Sequence, residues 1–186
     1  MLNTSALPLS DGRVRLRAMT HADAAAYAEG TEDPAVRAFA HLPAPEYTRD
    51  SVVRMIDGVI AEGRARGDLA ILTIADAATD YFAGSLVLFD VSGDAAEVGF
   101  WLRPGARGAG LAGAALELAG RCAEHSGLRT LTARTAADNV ASQRVLDQAG
   151  FHRVRRARGT APSGARIDLL HYARVLPPCG APDVRG

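Results

Sequence analysis

Apolar residues recur along the chain with two periods, one typical of strands and the other of helices. From residue 95 to residue 103 apolar and polar side chains alternate, which predicts a strand with one buried face. After Thr48 apolar residues recur every three or four positions, which predicts an amphipathic helix that ends near residues 63–67. The stretch 111–125 has the same helical spacing and directly follows a glycine-rich loop.

The predicted elements follow one another without an internal repeat or a dividing linker. Their order predicts one mixed α/β domain on a single sheet at residues 13–176, with an N-terminal extension at 1–12 and a flexible tail at 177–186. The predicted strands lie at residues 14–17, 69–75, 81–91, 95–103, 128–134, 151–157 and 167–175, and the predicted helices at 20–29, 48–63, 111–125 and 139–149.

Composition narrows the candidate chemistry. The chain has 186 residues, of which 48% are hydrophobic, as in an ordinary globular domain. All 21 basic residues are arginines. A Walker-type phosphate loop and a pyridoxal-phosphate enzyme each need a lysine, so both classes are excluded.

Charge and apolar runs set expectations about partners. The net charge of zero gives no overall basic field for nucleic acid or an anionic membrane, and argues weakly against a strongly charged acceptor. There is no long apolar window and no signal-peptide pattern, so we expect a cytoplasmic protein without a membrane span. Cys122 and Cys179 suggest no disulfide, and the five histidines share no metal spacing, so no metal is expected. The expected state is a monomer or a homodimer.

The glycine-rich loop before the helix at 111–125 is the first candidate site. Gly108 and Gly110 allow the backbone to approach an anion, and the first amides of a helix have no partner within it. The helix dipole adds partial positive charge, so a diphosphate fits without lysine, and Arg107 can add a charge-assisted contact. On its own, the pattern also fits a structural turn or a site for another phosphorylated ligand.

A dinucleotide site is the obvious alternative for this loop. Gly108, Gly110 and Gly113 match the pattern G-x-G-x-x-G. That pattern belongs near a first βαβ unit, with an acidic residue about twenty positions later. Here the loop follows an antiparallel hairpin, and the next strand ends in Arg134. A nicotinamide cofactor is therefore disfavoured.

The helix that starts at Asn139 is the second candidate. Asn139 and Ser142 are three residues apart and share a helix face, which Leu146 continues. From local evidence Asn139 can equally be a simple helix cap, with Ser142 a neutral surface residue.

Together the two segments resemble the GNAT superfamily of N-acetyltransferases, and within it the RimJ/RimL-like branch. Residues 107–112 match every fixed position of the family's pyrophosphate motif, R/Q-x-x-G-x-G/A. The strand E-V-G-F-W-L is similar to the branch's E-I-G-Y-W-L, and residues 139–151 match N-x-x-S-x-x-x-L-x-x-x-G-F. The resemblance covers roughly residues 13–176. Where the branch often has Thr-Glu-Ala, residues 113–115 are Gly-Ala-Ala, which leaves a more positive anion site.

The resemblance implies an acyl-CoA-dependent N-acyltransferase with acetyl-CoA as co-substrate. Acetyl transfer would occur by direct attack in a ternary complex, onto the α-amine of a protein N-terminus or a small-molecule amine. The implied fold is α/β, of the α+β type: a mixed, mostly antiparallel central sheet flanked by helices, with strands splayed at the cofactor cleft. The implied cofactor-binding residues are Phe100, Trp101, Leu102, Arg107, Gly108, Ala109, Gly110, Leu111, Ala112, Gly113, Asn139 and Ser142.

Two side chains are candidates for catalysis. Glu97 lies on the polar face of its strand and matches the family's strand glutamate, so it is expected to act as base through water; otherwise it is a strand carboxylate without a role. Ser142 is expected, by resemblance, to protonate the departing thiolate, directly or through water. Trp101 either lines the acceptor channel or packs beneath the first helices, and Asp168 either binds a substrate amine or is a surface charge. The alternative function is a non-catalytic acyl-CoA-binding regulatory module.

Overall fold

Eight strands form one sheet in the order β1-β2-β3-β4-β5-β6-β8-β7 in the computed structural model, which describes residues 1–40, 42–160 and 166–177. The strands are β1 (Leu9–Ser10), β2 (Val14–Ala18), β3 (Ala70–Asp76), β4 (Phe82–Ser92), β5 (Ala95–Leu102), β6 (Thr130–Ala136), β7 (His152–Thr160) and β8 (Arg166–Val175). The helices are α1 (Ala24–Gly30), α2 (Pro34–Phe39), α3 (Arg49–Met55), α4 (Ala61–Arg66), α5 (Leu111–His125) and α6 (Val140–Gln148).

The strand directions confirm the predicted fold class. Neighbouring strands are antiparallel throughout the sheet, except that β5 and β6 run parallel. The parallel pair is joined by α5, in keeping with the long crossover that parallel strands require. Helices lie on both sides of the sheet. The described chain is therefore built around a single mixed and mostly antiparallel sheet.

The sheet separates two hydrophobic clusters. On one face the apolar stripe of α5, including Ala115, Leu118 and Cys122, packs on β2, β5 and β6. On the other face Tyr27 of α1 and Val52 of α3 pack over β4. Strands β3 to β5 therefore have helices on both faces.

Helix starts follow the predicted caps, but two details of the helices differ from the sequence prediction. Thr20 begins a short 3₁₀ turn with a capping box to Asp23 that leads into α1. The single helix predicted after Thr48 contains a π-helical turn, Ile56–Ile60, between α3 and α4. The helix α2 was not predicted, although Asp33 caps it and a proline occupies its first turn, a combination that favours a helix start.

The segment predicted as an N-terminal extension packs against the domain. Leu2 is buried in the core on the α5 side, and its backbone N–H donates to the Gly67 carbonyl at 2.7 Å. Leu9 pairs with Leu16, which adds β1 to the sheet. Apart from Pro177, the predicted tail 177–186 lies outside the described residues.

Candidate active site

The parallel strands β5 and β6 separate part-way along their length. They pair only between Ala95–Glu97 and Thr130–Thr132. Beyond that point β5 stays paired with β4 as far as Leu102, and β6 stays paired with β8 as far as Ala136. Among the described residues, the edge of β5 from residue 98 to residue 102 therefore has no strand beside it, which leaves a V-shaped cleft.

The cleft opens at the end of the sheet where both sequence motifs lie. Since β5 and β6 are parallel, their carboxyl ends lie at the same edge of the sheet. Helix α5 follows β5 and α6 follows β6, so the N-termini of both helices are at that edge. Ligands bind at this edge in many sheets with parallel strands. The fold thus brings the glycine loop, Asn139 and the open edge of β5 into one region.

The backbone of the glycine loop can approach an anion closely. Gly108 and Gly110 have φ of +82° and +75°, a conformation that favours glycine, and Gly110 is the N-cap of α5. A side chain added at Gly108 or Gly113 would meet open space, so the loop surface is accessible. The first bond of the helix runs from the Ala114 amide to the Gly110 carbonyl, which leaves the amides of residues 111–113 without helical partners. These features fit a diphosphate.

The side chain of Arg107, the arginine of the loop motif, forms hydrogen bonds with other groups of the protein. Its Nη2 lies 2.6 Å from Asp33 Oδ1 and 3.0 Å from the Leu102 carbonyl, to which its Nε also donates. The Arg107 guanidinium holds the pKa of Asp33 below its ordinary value. Arg107 therefore ties the loop to the start of α2, and a contact with phosphate stays a prediction.

Arg13 lies beside the loop and was not singled out from the sequence. Its Nη1 is 3.6 Å from where a Gly110 Cβ would be, the one group within 4 Å of that position. Its side chain is 66% exposed and, within residues 1–40, 42–160 and 166–177, its one ion pair is a long contact of 3.4 Å with Asp11. The residue is far from the loop in sequence, so only the docking of β2 against α5 reveals this proximity.

Glu97 is at the base of the cleft, at the last paired position of β5. Its Oε1 accepts a hydrogen bond from Arg134 Nε at 2.8 Å, and its side chain is 12% exposed. Arg134 is paired laterally with His171 of β8. Burial lowers the pKa of His171, helped by the positive charges of Arg155 and Arg134 and opposed by Glu97, which favours the neutral imidazole.

The candidates on α6 are close to each other. The Asn139 side-chain oxygen accepts a hydrogen bond from the Ser142 amide at 3.1 Å, so Asn139 caps α6 as the simplest sequence interpretation requires. Both residues are partly buried. Within the described residues the Ser142 hydroxyl has no hydrogen-bond partner, so it is free to contact a ligand. The catalytic role of Ser142 and the pantetheine-orienting role of Asn139 stay predictions.

Comparison with known proteins identifies the family. The sequence model of the acetyltransferase (GNAT) domain family matches residues 13–152. The chain belongs to this acetyltransferase family. It is an acyl-CoA-dependent N-acetyltransferase, with acetyl-CoA as its co-substrate, as the resemblance implied. No curated protein matches the chain.

Solved structures share the acetyltransferase fold at low identity. RimJ of Mycobacterium smegmatis, in complex with CoA-disulfide, is 22% identical, with a TM-score of 0.77 over 87% of this chain and 81% of that one. RimL, a ribosomal L7/L12 α-N-protein acetyltransferase in complex with coenzyme A, is 20% identical, with a TM-score of 0.78 over 91% of this chain and 97% of that one. Spermidine N-acetyltransferase from Vibrio cholerae, in complex with CoA and spermine, is 14% identical, with a TM-score of 0.75 over 89% of this chain and 96% of that one. They support the RimJ/RimL-like fold.

Two residues predicted to contact the substrate, Trp101 and Asp168, already contact other residues of the protein. Trp101 packs edge-on against Tyr27 at a centroid distance of 5.2 Å and lies so close to Gly30 that a Cβ there would clash with it. Asp168 contacts Arg156 Nη2 at 2.5 Å and Arg158 Nε at 3.7 Å. Trp101 thus packs beneath α1, and the charge of Asp168 is already balanced, so their predicted substrate contacts stay untested.

Two further findings concern metals and membranes. Across residues 1–40, 42–160 and 166–177, no group of three or more His, Cys, Asp or Glu side chains is placed to hold a metal ion. In the same part of the chain, no helix combines the length and apolar character needed to cross a membrane.

Proposed function

We propose that this acetyltransferase transfers the acetyl group of acetyl-CoA to a primary amine, the α-amine of a protein N-terminus or the amine of a small molecule, in a ternary complex. The observation that carries the proposal is the separation of β5 and β6 at the edge where the glycine loop begins α5. Such a cleft gives the two substrates a common meeting point in the middle of the sheet.

The loop residues would hold the diphosphate of coenzyme A. The amides of residues 111–113, which have no partner within the helix, and the dipole of the 15-residue helix α5 attract negative charge, and the glycines leave the space it needs. The unpaired edge of β5 at Phe100, Trp101 and Leu102 offers main-chain groups to the pantetheine arm. When bound, acetyl-CoA supplies the activated acyl group, and the chain's residues orient it and manage the protons.

Glu97 is the proposed base. Its Oε1 is engaged by Arg134, and among the described residues its Oε2 contacts no donor, so Oε2 is the oxygen left to accept a proton. The attacking amine must lose a proton to become nucleophilic, and a carboxylate that acts through water can take it. Arg134 fixes the orientation of the carboxylate at the base of the cleft.

Ser142 is the proposed proton donor to the departing thiolate. Its hydroxyl is partly buried on the first turn of α6, and the adjacent Asn139 cap holds that turn in place. A serine hydroxyl is a weak acid, so a water relay through Ser142 serves the same purpose.

Thiol release from acetyl-CoA, measured against a panel of N-terminal peptides and small amines, tests the function. We expect turnover with at least one primary amine. The Glu97→Gln variant should keep its CoA affinity and lose turnover. Tight CoA binding without acetylation of any amine would instead support the non-catalytic regulatory module.

A further inference from the structure

A small apolar surface lies beside Glu97 on the same face of the sheet. Phe89 of β4 pairs directly with Glu97 of β5. The next pair on that face is Val87 with Gly99, and residues paired in this way are side-chain neighbours. Both Val87 and Phe89 are partly exposed. We refer to Val87, Phe89 and Gly99 as the apolar patch.

The apolar patch belongs to neither hydrophobic cluster of the described chain. Val87 and Phe89 are absent from the cluster on the α5 side and from the cluster beneath α1 and α3. Ile71, the β3 partner of Val87, does pack on the second cluster, so helical cover ends beside the patch. Single exposed apolar residues are common and need no function. Here two of them adjoin each other and the proposed base, so an acceptor that reaches Glu97 comes next to them.

Glycine at position 99 leaves a gap on this face between Glu97 and Trp101. These three residues alternate with the core-facing residues of β5, and Glu97 and Trp101 are about 13 Å apart along the strand. A Cβ built at Gly99 would lie 3.2 Å from Val87 Cγ1 and 3.9 Å from Phe89 Cε1, so these two apolar groups form the floor of the gap. The gap therefore has a carboxylate at one end, an aromatic ring at the other and an apolar floor.

Charged groups set the side of Glu97 on which an acceptor has room. Arg134 contacts Glu97 Oε1 at 2.8 Å from the β6 side, and it also lies 3.8 Å from Asp90 Oδ2. The β4 side, which carries the apolar patch, is the surface left for the substituent of an amine at Oε2. Asp90 is 71% exposed, so its attraction for a cationic substituent is weakened by water and salt.

We propose that the apolar patch binds an apolar side chain on the amine-bearing carbon of the acceptor, of about the size of leucine. This inference rests on the proposed function and names the acceptor class within it. Removal of apolar surface from water favours the contact, and the gap over Gly99 supplies the room. An acceptor with a polar or charged group on that carbon lacks this contribution and must also lose water from its polar group.

Three peptides that differ only in their first residue test the proposal. They begin with leucine, serine or arginine, and each continues Ser-Ala-Gly-Ser with an amidated carboxyl end. Trp101 is the one tryptophan of the chain, so its fluorescence measures peptide binding to the CoA-loaded protein independently of turnover. Thiol release gives kcat/KM. We expect the leucine peptide to bind and react about tenfold better than the serine peptide, and the arginine peptide to resemble the serine peptide.

Two matched valine variants locate the contact. Val87→Thr keeps the branched shape and adds a hydroxyl, so it should reduce the preference for leucine over serine about threefold. Val175→Thr makes the same change on β8, at a side chain that is 77% exposed and lies across the cleft, and should leave the preference unchanged.

An equal reduction in Val175→Thr, no preference for the leucine peptide, or tighter binding of the arginine peptide would each overturn the proposal. A preference for leucine in binding without turnover of any peptide would retain the apolar patch and reject the catalytic function. Turnover of all three peptides without a preference would do the reverse.

Discussion

The two parts of the sheet on either side of the cleft are built differently. Strands β3 to β5 are covered by helices on both faces, and a nearby ion pair, Arg17–Asp23, is almost completely buried. Strands β6, β8 and β7 are covered on one face by α5 and α6, while their other face carries exposed arginines. Charge in the covered part is buried and holds elements together, whereas charge in the open part, such as the Arg134–Glu97 pair, lies at the cleft or at the solvent-exposed surface. Substitutions in the two parts should therefore affect different measurements.

The largest effect on stability is expected in the covered part, at Asp23. This carboxylate is 4% exposed and accepts hydrogen bonds from both Arg17 terminal nitrogens, at 2.7 and 2.9 Å, and from the Thr20 amide. Replacing it with Asn would remove the main ion pair of the largely buried Arg17 guanidinium and leave it with the half-exposed Asp80, 3.1 Å from its Nε. Asp23→Asn should lower the free energy of unfolding by about 3 kcal/mol at pH 7, measured by urea denaturation. Asp50→Asn, at an exposed ion pair with Arg49, should change it by less than about 1 kcal/mol.

The same carboxylate gives the stability of the wild type a pH dependence. Burial favours protonation of Asp23, but its bonds to Arg17 and Thr20 outweigh burial and hold its pKa below the ordinary value of 3.8. Because the folded pKa is the lower one, this contribution is present above pH 3.8 and disappears as the pH falls through the folded pKa. The difference in free energy of unfolding between wild type and Asp23→Asn should become smaller in that pH range. A difference that stays constant with pH would contradict this account.

Between the two parts, Glu97 should control the chemical step rather than stability. Glu97→Gln should reduce kcat about a hundredfold, because the variant has no carboxylate to accept the proton of the amine. The KM for acetyl-CoA should stay unchanged. Thiol release measured across a pH series supplies the check: full turnover with the wild-type pH profile would remove Glu97 as the base.

The glycine loop should control cofactor affinity alone. Gly110→Asp introduces a carboxylate beside the proposed diphosphate site and should weaken CoA binding about fiftyfold, measured by calorimetry. Gly127→Asp is the matched control, since Gly127 has the same φ of +75° but lies beyond the far end of α5. The two variants share the backbone strain, so equal CoA affinities would reject the diphosphate assignment.

Features that depend on local sequence were predicted, and features that depend on strand register were not. The bounds of α5, Leu111–His125, follow directly from the glycine before it and its apolar spacing. On its surface Glu117 contacts Arg174 of β8 at 2.7 Å, although the sequence places Arg121 one turn away on the same helix. The contact of Glu97 with Arg134 likewise requires the register of β5 and β6. Neither partner is near in sequence, so local spacing contains no signal for them.

The smallest expected effect distinguishes the roles of two arginines at the mouth of the cleft, Arg13 and Arg107. Arg107 is held by Asp33 and the Leu102 carbonyl, whereas Arg13 makes a long contact with Asp11 as its one ion pair in the described part of the chain and lies beside Gly110. A phosphate at the loop can therefore attract Arg13 without breaking strong bonds. Arg13→Gln should weaken CoA binding about fivefold, or about 1 kcal/mol, and leave the melting temperature unchanged. Arg107→Gln should lower the melting temperature and affect CoA less. The opposite order of affinities would make Arg107 the phosphate ligand and reduce Arg13 to a bystander on the surface.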